Sequence, residues 1–75
     1  MRRVGEVSRT AQGLAILRSP DESHPDVGTV VVDSDLGTVG RVVDVFGPIE
    51  RPYVAVSPDD GVTLPALLGE KLYAR

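Results

Sequence analysis

Six short segments in which apolar and polar residues alternate make up most of the sequence, and turn-forming residues separate them. An alternation with a period of two residues is typical of β-strands. It predicts strands at residues 3–8, 14–18, 29–33, 38–46, 53–57 and 71–74. No segment has the pattern of a long amphipathic helix, although residues 63–69 are compatible with one helical turn that begins near Pro65. The sequence therefore predicts an all-β fold.

The length of the chain indicates how these strands are arranged. Seventy-five residues are enough for one domain with a small core and no deep pocket. Six short strands cover their edges best when the sheet curls into a barrel. The pattern V-G-x-V at residues 4–7, 27–30 and 39–42 also places glycine where such a sheet has to bend. We therefore expect a small, closed or nearly closed, six-stranded antiparallel β-barrel.

The charge and the absence of cysteine narrow the function classes. Eleven acidic and eight basic residues give a net charge of −3, which argues against broad binding to nucleic acid and favours a protein partner. Without cysteine the chain has neither a disulfide nor a thiolate zinc site. It also lacks an apolar run of about 18 residues and a signal-peptide pattern. These features predict a cytoplasmic protein that is not bound to a membrane.

The sequence contains no recognisable catalytic set. His24 is the only histidine, and it lies in a polar segment with no cysteine or second histidine to complete a triad or a metal site. The pairs Asp33 with Asp35 and Asp59 with Asp60 lie beside Ser, Pro or Gly, where aspartate is first a turn former. We expect neither an enzyme nor a bound metal or cofactor.

The apolar corner between the fourth and fifth predicted strands has a different character from a simple hairpin turn. It contains Gly47, Pro48 and Pro52, and prolines belong at a sheet edge or corner because they lack a backbone donor. If Val54 points into the barrel, alternation turns Tyr53 outward. Apolar residues fall on both faces of residues 42–46, so part of this surface should be exposed, which favours an interaction site. A structural cap at one end of the barrel is the alternative, and the pattern leaves both open.

The run VGRVVDVFGPIERPYVAV at residues 39–56, with RVGEV at 3–7 and GEKLY at 69–73, resembles the GAR-type subunit of the archaeal H/ACA ribonucleoprotein. The resemblance extends over nearly the whole chain. It implies a barrel of the translation-factor kind, also called reductase/isomerase/elongation-factor-like. It also implies a non-catalytic accessory subunit that binds the dyskerin-type pseudouridine synthase, makes little or no direct contact with guide RNA, and promotes loading and release of substrate RNA during rRNA modification and ribosome biogenesis. The glycine-arginine-rich tails of eukaryotic relatives are absent.

The resemblance also selects candidate site residues. Its motif implies a surface that faces the synthase subunit, formed by Phe46, Gly47, Pro48, Ile49, Arg51, Pro52 and Tyr53. It implies no catalytic residue, metal, cofactor, membrane or small-molecule substrate. The alternative hypothesis is a ribosome-maturation barrel that binds a ribosomal protein or rRNA directly, because V-G-x-V before a glycine turn also occurs in such barrels.

Overall fold

A computed structural model describes residues 2–75 of the chain. It contains six strands and one short helix: β1 (Arg2–Ala11), β2 (Leu14–Arg18), β3 (Val30–Val32), β4 (Thr38–Phe46), β5 (Tyr53–Pro58), α1 (Leu64–Leu67) and β6 (Lys71–Ala74). The bounds predicted for β2, β4 and β6 are confirmed, and those of the other strands differ by one to three residues at an end. The predicted helical turn is also confirmed, with proline in its first turn.

The six strands form one closed antiparallel barrel in the order β1-β2-β5-β4-β3-β6. The barrel closes where β6 pairs with both β1 and β3. Closure gives every strand a hydrogen-bonded neighbour on both sides, so no long edge is left unpaired. The predicted fold class is therefore confirmed in its closed form.

The first strand is longer than the sequence pattern predicted, because β1 and β2 form a tight hairpin. Ala11 pairs with Leu14, and the two residues between them, Gln12 and Gly13, have φ angles of 54° and 77°. Two positive φ angles are typical of the turn that suits the twist of a hairpin, but the preferred residues there are Asn-Gly or Asp-Gly. Glutamine at the first position concealed this turn in the sequence.

Glycines and bulges shape the barrel. A Cβ added at Gly5 would overlap the backbone carbonyl of Arg18, and one added at Gly40 would overlap that of Ser57. Each of these glycines therefore allows two strands to approach closely. Gly28, in the second copy of the V-G-x-V pattern, lies in a turn with a φ of 95°, so the expectation of a strand glycine is wrong there. The registers of four strand pairs also shift at bulges, which bend the sheet.

The core fills the barrel with small and branched side chains. It consists of Val4, Val7, Ala15, Leu17, Val31, Val39, Val42, Val54, Val56, Leu67 and Leu72. Leu67 comes from α1, which contacts β1 and β2 and thereby closes the barrel interior from the connection between β5 and β6. Among residues 2–75, no helix has the length and apolar character that crossing a membrane requires.

Candidate functional site

The loop at residues 47–52, here called the corner loop, connects β4 to β5. Phe46 precedes the loop and Tyr53 follows it. The two residues are partners in the sheet register, so their side chains lie on the same face. Their rings are stacked, with 5.6 Å between centroids and an interplanar angle of 22°. The corner loop therefore begins and ends on an aromatic pair, which holds its two ends together.

Gly47 allows the chain to turn directly after Phe46, close to the Tyr53 ring. Its φ is 91°, a conformation that other residues rarely adopt, and a Cβ at this position would lie 2.9 Å from Cδ2 of the Tyr53 ring. Both the backbone angle and the space above the ring require glycine here. The position of glycine in the motif therefore follows from the packing of the aromatic pair.

Tyr53 points away from the barrel core, as alternation with the buried Val54 predicted. It is nevertheless half-buried, because other side chains cover the ring on the outside of the barrel. The guanidinium carbon of Arg18 lies 5.0 Å from the ring centroid and that of Arg9 lies 5.7 Å from it, distances that allow cation–π contact. Nη1 of Arg18 also donates a hydrogen bond of 3.2 Å to the Tyr53 hydroxyl. The ring is thus held by Phe46 and by two arginines.

The apolar surface of the site consists of the exposed side chains Phe46, Pro48 and Ile49, here called the corner patch. Ile49 is 85% exposed and Phe46 is 38% exposed, which is high for residues of this size. Val43, at a bulge of the same strand, is 43% exposed. The sequence prediction that β4 has apolar residues on two faces is therefore confirmed by a surface that nothing in the described chain covers.

The other candidate residues of the loop support this surface. Arg51 is exposed, and its Nε donates a hydrogen bond of 3.0 Å to the backbone carbonyl of Ser19. Pro52 is buried, and its carbonyl accepts a hydrogen bond of 2.9 Å from the Ser19 amide. This bond joins Pro52 to the segment after β2, and its place on the partner-facing surface stays a prediction, since it also lines the groove described next.

An open groove of about 200 Å³ lies between the corner loop and the polar segment that follows β2. Its lining residues are Glu22, His24, Val45, Phe46, Gly47, Pro48, Ile49 and Pro52. Sequence analysis assigned no role to Glu22 or His24, because the groove is lined by parts of the chain that are distant in sequence. Pro25 in the same segment is buried.

The side chains at this site are suited mainly to contact with another surface. The groove is lined mainly by apolar side chains, and Glu22 and His24 are the only titratable residues that line it. Among residues 2–75, no group of three or more His, Cys, Asp or Glu side chains is placed to hold a metal ion. The arrangement offers a rigid apolar surface with basic side chains beside it, which suits binding to another macromolecule.

Comparison with known proteins decides the family. The family model described as the Gar1/Naf1 RNA binding region matches residues 1–75, the full length of the chain. The chain belongs to the Gar1/Naf1 family. The resemblance of its sequence to the GAR-type subunit of the H/ACA ribonucleoprotein is thereby confirmed, and an association with H/ACA particles follows from it.

Relatives of this Gar1/Naf1 domain are found in two methanogens. An uncharacterized protein of Methanothermobacter thermautotrophicus is 29% identical over 76 residues, which cover 97% of this chain and 82% of the relative. An uncharacterized protein of Methanocaldococcus jannaschii is 36% identical over 50 residues, which cover 67% of this chain and 58% of the relative. Both are similar to this chain, one over nearly its whole length and the other over two thirds of it.

The fold of the Gar1/Naf1 domain agrees with a solved structure. The Gar1 domain of Naf1 superposes with a TM-score of 0.72 over 99% of this chain and 81% of the other, at 15% sequence identity. At this identity the match establishes the fold alone. It is the same closed barrel, which confirms the architecture predicted from the strand pattern.

Proposed function

We propose that this chain is a non-catalytic accessory subunit of an archaeal H/ACA guide-RNA pseudouridylation complex. It binds the dyskerin-type synthase subunit through the corner patch and promotes loading and release of substrate RNA. Membership of the Gar1/Naf1 family supports the association with H/ACA particles. The exposed corner patch is the observation that carries the protein contact.

The rigidity of the corner loop supports its use in binding. Pro48 restricts the backbone next to the exposed Ile49, and the stacked Phe46 and Tyr53 hold the two ends of the loop together. A surface that is ordered before binding loses less conformational freedom when the complex forms. Exposed apolar patches on small proteins commonly mark such interaction sites. This favours a binding surface over a cap that serves only the barrel.

The proposal also states which steps of the modification reaction this chain leaves to other subunits. It contributes no catalytic residue or cofactor, and it acts in the cytoplasm by binding the enzyme that modifies the RNA. The family description refers to RNA binding, but a net charge of −3 supports protein contact as the main source of affinity and little direct contact with guide RNA.

The direct test is co-elution of the purified barrel with the synthase subunit in the absence of RNA. We expect a stable complex with the parent chain and none with Ile49→Asp, because the new charge has to be desolvated at the contact. Leu36→Asp is the matched control. Leu36 is also a large exposed residue, 56% exposed, but it lies before β4, at the opposite end of that strand from the patch.

Two results would contradict the proposal. The first is equal binding by the parent chain and Ile49→Asp. The second is an absence of synthase binding together with co-elution of a ribosomal protein or rRNA, which is the outcome that a ribosome-maturation barrel predicts.

A further inference from the structure

Two arginines contact the aromatic pair on the outside of the barrel and a third lies in the corner loop, although the chain as a whole is acidic. Arg9 on β1 and Arg18 on β2 contact the Tyr53 ring, and Arg51 lies in the corner loop two residues before it. They are distant in sequence, and the strand order brings β1, β2 and β5 side by side. These residues are here called the arginine cluster.

The three side chains differ in how many of their N–H groups remain free. Arg18 is half-buried and donates to the Tyr53 hydroxyl, and its buried Nε has no partner within residues 2–75. Its role is to hold the ring. Arg51 is exposed and uses only Nε, which donates to the Ser19 carbonyl. A guanidinium has five N–H donors, so both Nη groups of Arg51 remain available as a planar fork.

Nearby acids do not occupy these donors. Glu6 lies opposite Arg18 in the sheet register, and Glu50 precedes Arg51 in the chain, and both carboxylates belong to exposed residues. Within residues 2–75, the hydrogen bonds of the arginine cluster go to a phenol oxygen and a backbone carbonyl. Arg9 contributes only its contact with the Tyr53 ring. Arg51 and Arg9 therefore present N–H groups to an external acceptor.

We infer that the arginine cluster recognises carboxylate groups on the partner protein, next to the apolar contact made by the corner patch. This inference rests on the proposed function and specifies the chemistry of the partner. The segment of the synthase subunit that covers the patch is apolar at its centre and carries an acidic residue that faces Arg51, with a second acidic group facing Arg9.

The surroundings favour a protein carboxylate over an RNA phosphate. Arg51 belongs to the same loop as the exposed Pro48 and Ile49, and an apolar centre with a polar rim is the usual organisation of a protein interface. The acidic Glu6 and Glu50 near the cluster would repel a polyphosphate chain, and the net charge of −3 adds to that repulsion. A single carboxylate held at a defined position is affected much less.

The experiment measures the affinity of the synthase subunit, without RNA, for Arg51→Gln, Arg9→Gln and Arg51→Lys at low and high salt. We expect Arg51→Gln to weaken binding about fivefold and Arg9→Gln about threefold at low salt, because exposed charge pairs contribute modest energies that salt screens. Arg51→Lys should recover part of the loss, since it keeps the charge and loses the fork. The differences should shrink at high salt.

Arg41→Gln is the matched control, because Arg41 is an exposed arginine of β4 that lies away from the corner loop. Equal effects of Arg41→Gln and Arg51→Gln would overturn the inference, since they would indicate a general effect of net charge. Unchanged synthase affinity in both Arg51→Gln and Arg9→Gln would also overturn it. So would variants that bind guide RNA more weakly than the parent and bind the synthase equally well. Arg9 makes no hydrogen bond in the described chain, so Arg9→Gln removes only its charge and its contact with the Tyr53 ring. If Ile49→Asp abolishes binding and the arginine variants do not, the proposed function stands and this inference fails.

Discussion

At the scale of single residues, Tyr53 shows that a side chain can point away from the core without being fully exposed to solvent. Its side chain points away from the core, yet Phe46, Arg9 and Arg18 leave it only half-exposed. The ring therefore supports the corner patch and is itself partly exposed beside it. Substitutions at this position affect both binding and stability, and a useful experiment has to separate the two effects.

We predict that Tyr53→Ala weakens binding to the synthase subunit about thirtyfold, which corresponds to about 2 kcal/mol. The loss of the stack on Phe46 should also lower the free energy of unfolding by about 1 kcal/mol. Tyr53→Phe keeps the stack and removes only the hydrogen bond from Arg18, so it should bind within about threefold of the parent. Calorimetry and thermal melting measure the two effects.

The matched control for this prediction is Val54→Ala, one residue along the same strand. Val54 is fully buried in the core, so its truncation should cost about 2 kcal/mol of stability and leave the contact surface unchanged. Parent-like binding by Tyr53→Ala, or weaker binding by Val54→Ala at a temperature where it is folded, would contradict the assignment of the two faces.

Gly47 offers a sharper comparison at the same scale. We predict that Gly47→Ala weakens synthase binding about tenfold, because the new Cβ displaces the Tyr53 ring, and lowers stability by about 2 kcal/mol through the positive φ and this contact. Gly61→Ala is the control, since Gly61 has a φ of 87° and no atom within 4 Å of an added Cβ. It should lose about 1 kcal/mol of stability and keep its affinity for the partner, and equal binding losses in both variants would contradict the proposed role of Gly47.

At the scale of secondary-structure elements, two of the hairpins of the barrel are built differently. The hairpin of β1 and β2 turns through Gln12 and Gly13 alone, whereas that of β4 and β5 turns through the corner loop. A short turn only reverses the chain, and the longer proline-containing loop also forms a surface. The helix α1 is also short, and its four residues place Leu67 in the core.

The short hairpin provides a prediction that does not depend on the partner. Gln12 is exposed and has a φ of 54°, a conformation that asparagine tolerates better than glutamine. We predict that Gln12→Asn raises the free energy of unfolding by about 0.5 kcal/mol and the melting temperature by about 3 °C. The synthase affinity should be unchanged, because the turn lies outside the corner patch. A fall in the melting temperature would show that the turn geometry is wrong.

At the scale of the whole molecule, closure of the barrel explains how so short a chain can present a rigid surface. The core lies inside a single sheet whose strands all have two neighbours, so a site on the outside of β4 and β5 rests on the complete barrel. A rigid subunit of this kind can influence an enzyme only by binding it and changing the position of its mobile parts. The proposed function therefore assigns substrate exchange to this subunit and the chemical step to the synthase.

We predict that adding the barrel to a complex of synthase and guide RNA raises multiple-turnover modification of RNA more than single-turnover modification. Multiple turnover includes loading and release of substrate, and a single turnover does not include release. Kinetics under both conditions measure the effect, with the Ile49→Asp variant as the inactive control. Equal stimulation in both regimes, or modification of RNA by the isolated barrel, would contradict the proposal.

The chain sequence by itself determined the all-β class, the positions of most strands and the closed barrel, because period-two alternation and turn residues act locally. It also determined the family motif and the outward direction of Tyr53. Only the tertiary structure decided that β1 extends into a hairpin at Gln12, that Pro52 is covered, and that Glu22 and His24 line the groove. It also brought Arg9 and Arg18 onto the Tyr53 ring and joined Arg51 to the Ser19 carbonyl. Those features depend on the strand order and on contacts between residues far apart in the chain, and a local pattern contains no information about either.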